Sequence, residues 1–224
     1  MKTSRVGRPK GENVDNANRR RKQLIDAAIQ SIVEHGLSAT TLATVAKASG
    51  LSQGTAVFYF KNKQTLLYEA FRSRLDDYRK TWTDTLSEVG PDPVDRIATL
   101  VFASMDSKLL TQQDMAFWNS FWPAASRQAN LNEIYEQFDD ERQAVLLSLC
   151  EDAKKHMEKT AWTPKTVAQT LETIVEGVWI RLYYSSSHMS AKDARIVAGT
   201  LLSTMFPGRA GDIMKMAKNP VNDN

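Results

Sequence analysis

From Asn18 onward the apolar residues recur with a helical period. Leu24, Ala28 and Ile32 stand at i, i+4 and i+8 beside Ile25, Ile29 and Val33, and His35-Gly36 supplies a stop. Thr41 is a good N-cap for a short helix over about 42–49, closed by Ser49-Gly50, and Ser52 caps another over about 53–59. A long helix is predicted from about 63 to 88, ending before Gly90-Pro91. Further helices are expected near 93–109, 113–127, 130–157, 164–187 and 190–206. Asn130 and Thr163-Pro164 act as start signals, Ser185–Ser187 as a break and Pro207-Gly208 as the last stop. No strand alternation or internal repeat interrupts this pattern, so the predicted fold is all-α.

The ends read differently. Residues 1–17 are polar, contain Gly and Pro and predict a flexible arm, while residues 208–224 predict a loosely ordered tail. Between them, residues 18–63 form a first domain of short helices and residues 64–207 a longer helical body.

Charge sharpens this division. Residues 1–63 hold eleven basic side chains against four acids, a balance of +7, whereas the rest carries −4 within a total of +3. A basic head on a mildly acidic body points to a polyanion as the partner of the head. One cysteine among 224 residues excludes an internal disulfide and any multi-cysteine zinc site. His35, His156 and His188 show no metal-ligand spacing, so neither metal nor cofactor is expected. With no apolar run near the roughly 20 residues of a membrane span and no signal-peptide pattern, the expected location is the cytoplasm.

The segment 41–60, TLATVAKASGLSQGTAVFYF, places two short helices on either side of Ser49-Gly50-Leu51. Gly50 can take the positive φ of a sharp turn, and Ala46 is small where the helices cross. Val45, Leu51 and Val57 are expected in the core, with Phe60 as a core aromatic. The second helix begins Ser52, Gln53, Gly54, Thr55, residues small or polar enough to approach base edges in the DNA major groove. Gln53 can offer its amide to adenine and Thr55 its methyl to thymine. Thr41, Thr44, Lys47, Tyr59, Lys61 and Lys63 are hydroxyls or cations suited to phosphate.

The run TTLATVAKASGLSQGTAVFYFKNKQTLL resembles the signature of the TetR family of repressors, matching at Thr41, Ala46, Gly50, Ser52, Gly54, Thr55, Tyr59, Phe60, Lys63 and Leu66. It departs at Val45, Ser49, Leu51 and Val57. Val57 stands where an aromatic that often touches DNA is common, which leaves base reading to Gln53, Thr55 and Phe58. The resemblance implies a homodimer pairing through the last two long helices, a pseudo-palindromic double-stranded operator and a ligand cavity within residues of about 64–224. The arm motif Arg5-Val6-Gly7-Arg8-Pro9-Lys10 resembles basic arms that enter AT-rich minor grooves.

In the body, Trp118, Phe121 and Trp122 share one helical face at i, i+3 and i+4. Glu172, Glu176, Trp179 and Tyr183 form a second stripe. Rings combined with a carboxylate suit a quaternary ammonium, and the same stripes also suit core or dimer packing. The segments FWNSFWPA, VEGVWIRLYYS and RRRKQLIDAAI are similar to the choline-responsive, BetI-type branch of the family. That resemblance implies choline or a relative as effector, with Trp118, Phe121, Trp122, Glu176, Trp179 and Tyr183 as ligand residues. An unrelated hydrophobic or cationic effector stays open.

An enzyme is disfavoured. There is no Gly-rich phosphate loop, no HExxH pair and no G-x-S-x-G elbow, and Cys150 lies in the apolar context VLLSLCEDA.

Overall fold

The computed structural model describes residues 10–106, 110–157, 162–184 and 189–219. They form ten α-helices, and the described residues contain no strand. The chain divides into two compact units, one ending at Arg74 and the other starting at Leu75.

The first unit holds α1 (Lys10–Ala39), α2 (Leu42–Ala48), α3 (Gln53–Phe60) and the opening turns of α4 (Lys63–Ser87). Gly36 kinks α1 with φ 76° and ψ 170°, so the stop expected there is a break in direction rather than an end. Residues 10–17, expected as part of the arm, are helical instead. Once the buried stripe of Leu24, Ala28 and Ile32 nucleates α1, each further residue adds one hydrogen bond at little cost, and the last proline lies upstream at position 9. Residues 1–9, which carry most of the basic arm motif, lie outside the described residues.

The Asn62 side chain accepts the Thr65 N–H at 2.8 Å and starts α4. Leu66, Leu67, Ala70 and Phe71 are buried, so the opening turns of α4 belong to the first compact unit. The units therefore part inside α4, not at its start near residue 63.

The second unit continues through α5 (Pro93–Ala103), α6 (Gln112–Ala125), α7 (Ala129–Asp152), α8 (Pro164–Tyr184), α9 (Ala191–Met205) and α10 (Ala210–Lys218). Side-chain caps at Asp92, Thr111, Thr163 and Ser190 fix four of these starts. No such cap opens α7, which starts at Ala129. Helix α5 ends well before the expected residue 109. The carbonyl of Ser104 leaves the helical ladder and accepts the Trp179 indole N–H at 2.7 Å. The serine run 185–187 and His188 lie outside the described residues.

The tail contradicts its expectation most plainly. Residues 207–209 make a 3-10 turn and residues 210–218 form α10, with Ile213 and Ala217 fully buried. Gly199 on α9 lets α10 approach so closely that a Cβ there would lie 2.8 Å from the Ala217 Cβ. Arg195 donates to the Ala217 and Met216 carbonyls at 3.2 and 2.7 Å, closing the C-terminal end of α10. Arg209 pairs with Asp92, Asp95 and Asp212 at 2.7–3.0 Å.

Candidate functional site

Two places concentrate chemistry, one in each unit. In the first, Gly50 takes φ 68° between α2 and α3, and Gln23 on α1 donates to the Ser49 carbonyl at 2.6 Å. Val45, Ala46, Ala56 and Phe60 are buried, with the Arg21 guanidinium 5.8 Å from the Phe60 ring. Thr41 and Thr44 lock each other in a capping box: the Thr44 N–H donates to the Thr41 hydroxyl at 3.1 Å and the Thr41 N–H to the Thr44 hydroxyl at 2.8 Å. Ser52 caps α3 from one side, the Thr55 N–H donating to the Ser52 hydroxyl at 3.1 Å and the two hydroxyls lying 2.9 Å apart. All four are therefore builders of the helix starts first.

The outward face of α3 consists of Gln53, Gly54, Val57 and Phe58. Phe58 is 77% exposed and Val57 43% exposed. Val57 was expected in the core. The inward face is set by Ala56 and Phe60 at i and i+4, and Val57 stands one residue, about 100°, away from that line. Tyr59 is half-buried and meets Phe58 edge to face at 5.2 Å. Lys47 and Lys61 are exposed at the ends of α2 and α3. Lys63 donates its ammonium to the Ser38 carbonyl at 2.9 Å.

In the second unit a cavity of about 50 Å³ opens among α4, α6, α7 and α8. That is room for several water-sized groups. Its walls are the rings of Trp118, Trp122, Trp179, Tyr135, Tyr78 and Phe138. The Trp179 indole lies 6.2 Å from Trp118, 6.5 Å from Trp122 and 5.4 Å from Tyr78. Asp139, Glu172 and Glu176 bring three carboxylates to the same space. Against them stands Arg142, buried and ion-paired with Glu172.

A polar floor joins these groups. Arg142 donates to the Ser104 hydroxyl at 3.0 Å, the Tyr78 hydroxyl donates to the same oxygen at 2.8 Å, and Trp179 takes the Ser104 carbonyl. The Arg142 Nε and the Glu172 Oε1 have no hydrogen-bond partner among the described residues. Loss of hydration raises the Asp139 carboxyl above its ordinary range. The same loss, helped by the Asp139 charge, raises Glu176. Burial and neighbouring carboxylates push the Tyr135 phenol well above its usual value, so it stays a neutral donor, reaching Glu176 at 3.5 Å.

Of the six residues expected to hold ligand, Trp118, Trp122, Glu176 and Trp179 meet at this cavity. Phe121 stands behind the wall, fully buried and 5.9 Å from both Trp118 and Tyr135. Tyr183 does not belong to it. It is 39% exposed and faces a separate hollow with Leu110, Met115, Leu182 and Met189. One helical turn beyond Trp179, about 6 Å along α8, carries it past the cavity. Sequence reasoning passed over Tyr135, Phe138, Asp139 and Arg142. They stand at i, i+3, i+4 and i+7 on α7, a mixed stripe that was visible but reads as an ordinary amphipathic helix.

Residues 24–70 match the family profile described as bacterial regulatory proteins of the tetR family. Residues 93–207 match that of the BetI-type transcriptional repressor, C-terminal domain. The chain belongs to the TetR family. The second match contains every cavity wall except those from α4. An HTH-type transcriptional regulator BetI of Burkholderia ambifaria is 32% identical over 162 residues, covering 72% of this chain and 81% of that one. The BetI regulator of Stenotrophomonas maltophilia is 29% identical over 179 residues, covering 80% and 89%. In fold, the chain is similar to a transcriptional regulator from Saccharomonospora viridis solved in complex with choline, with TM-score 0.75, 16% identity and coverage of 83% and 96%.

This TetR-family protein is thus a ligand-responsive, DNA-binding transcriptional repressor with a BetI-type C-terminal domain. Its relatives and structural neighbours are transcriptional regulators. Among the described residues no helix is long and apolar enough to cross a membrane.

Proposed function

We propose that the cavity of the second unit binds choline or a related quaternary ammonium, and that occupancy changes the affinity of a homodimer for its operator. The observation that carries this reading is the meeting of Trp118, Trp122 and Trp179 with Asp139 and Glu176 around one small cavity. A trimethylammonium head has no N–H to donate, so it is held by ring faces and by carboxylate charge. Each ring contributes about 0.5–2 kcal/mol, more as water is excluded. Glu172 is already matched by Arg142, which leaves Asp139 and Glu176 to balance one ligand cation. The choline found in the Saccharomonospora viridis regulator supports the same reading.

On the DNA side, Gln53, Val57 and Phe58 face the major groove, with Lys47, Tyr59, Lys61 and Lys63 on phosphates. The exposed apolar side chains Ile180 and Tyr184 on α8 and Val197 on α9 support pairing of those helices with a second copy. Such a dimer would set two recognition helices about 34–36 Å apart, one turn of a pseudo-palindromic site in the cytoplasm. Tyr78 places α4 at the cavity, and α4 begins beside α3. A ligand that prefers the weakly binding state by about 1.4 kcal/mol lowers operator affinity tenfold.

Calorimetric titration with choline, betaine aldehyde and glycine betaine tests the ligand. Saturable binding that is lost in Trp118→Ala and in the half-buried Trp122→Ala is expected. Absence of heat from all three would overturn the choline reading and leave a repressor that answers to an unrelated hydrophobic or cationic effector.

A further inference from the structure

The reading face of α3 is unusual in its chemistry. The helix carries no Asp, Glu, Lys, Arg or His, and its two hydroxyl-bearing starters, Ser52 and Thr55, are engaged with each other at 2.9 Å and with the helix start. What it offers outward is one amide, Gln53, and two apolar side chains, Val57 and Phe58. Val57 and Phe58 stand four residues beyond Gln53 and Gly54, on the same face. Tyr59 supports the Phe58 ring edge to face, so that ring stands out from the helix on a packed base. At its margins stand the exposed cations Lys47 and Lys61.

An exposed apolar side chain of this size lowers the free energy of the molecule only when something apolar covers it. In the major groove one base feature meets that need, the 5-methyl group of thymine. All other base edges there present hydrogen-bonding groups, which Val57 and Phe58 cannot satisfy and would desolvate at a cost.

We propose that Val57 and Phe58 are specificity residues that read thymine 5-methyl groups. The proposal rests on the operator-binding reading above. Gln53 then supplies the hydrogen-bonded part of recognition and the marginal lysines the sequence-independent part. An operator half-site selected by this chain contains at least one thymine whose methyl, rather than whose hydrogen-bonding edge, is recognised.

The test starts from the full chain and a pool of random duplex DNA. The enriched site is then synthesised with each thymine replaced in turn by deoxyuridine, which removes the methyl and leaves the Watson–Crick pairing. Affinity is expected to fall about fourfold for each methyl contacted, the factor that corresponds to burying one such group. Phe58→Ala or Val57→Ala should bind the thymine and deoxyuridine duplexes alike, while Gln53→Ala keeps the difference. These are surface positions, and circular dichroism checks that the variants stay helical. Equal affinity of the unaltered protein for both duplexes at every position would overturn the proposal while leaving operator binding intact. So would full discrimination in both apolar variants. Failure to enrich any sequence overturns the operator reading itself, and methyl reading with it.

Discussion

Arg142 on α7 and Glu172 on α8 form a buried ion pair at the base of the aromatic cavity, thirty residues apart in the chain. Neither charge has water to fall back on, so removing one strands the other. Glu172→Gln or Arg142→Met should each cost about 3–5 kcal/mol in urea denaturation. The double variant Arg142→Met with Glu172→Leu should cost markedly less than the sum, because no charge is then left buried alone. Additive losses would mean that the pair is not what holds α7 to α8.

Effector binding should depend on pH. Asp139 and Glu176 are both raised from their ordinary values, chiefly by loss of hydration, so at acid pH they keep protons that a bound cation would expel. Choline affinity should therefore rise with pH through and just above the carboxylate range and then level off. Calorimetry in buffers of different ionisation enthalpy should show proton release. For stability the sign is opposite. These raised groups contribute most below the unfolded carboxylate pKa, and their contribution is lost as pH climbs through the folded values. A choline affinity that falls or stays flat over this range would contradict the assignment of both carboxylates.

Gln53 and Lys63 should separate reading from positioning. Gln53→Ala is expected to lose about 1–3 kcal/mol at the selected operator and little on random DNA. Lys63→Ala should weaken both alike and reduce the slope of log affinity against log salt by about one. Its bond to the Ser38 carbonyl uses one of three ammonium protons, so a phosphate can still be met. Filter or fluorescence titration at several salt concentrations distinguishes the two patterns, and identical behaviour would remove the distinction.

The seat of α10 rests on Gly199. A methyl there meets the Ala217 Cβ at 2.8 Å and the Met214 sulfur at 3.3 Å, so α9 and α10 must separate. Gly199→Ala should destabilise the second unit by about 1–3 kcal/mol in thermal or urea unfolding, despite the better helix propensity of alanine. An unchanged or raised stability would show that α10 is seated by Arg195 and Arg209 alone.

Helix existence, the turn at Gly50 and the caps at Thr41 and Ser52 were legible in the chain because each is decided within a few residues. Gly tolerates the positive φ, hydroxyls satisfy the first free N–H groups, and a 3.6-residue period marks the buried face. The tetR-type signature was equally local, since its matched positions lie within one continuous segment. The pairing of Trp118 with Trp122 and of Glu176 with Trp179 was also legible, because each pair shares one face of one helix.

What tertiary structure alone decided is where helix faces meet. Periodicity places Val57 near a core stripe but cannot fix its angle to Ala56 and Phe60, and a rotation of 100° turns it outward. It put Tyr183 on the stripe of Trp179, yet the cavity spans only part of that stripe. The α7 residues Tyr135, Asp139 and Arg142 join the site only when α7 packs on α6 and α8. Helix α10 was missed because a short, weakly apolar segment gains its order from packing. Its buried Ile213 and Ala217, and the caps from Arg195, come from contacts that are not local in sequence. Local propensity writes the helices into the chain, whereas the cavity and the exposed face of α3 depend on how those helices are rotated against each other.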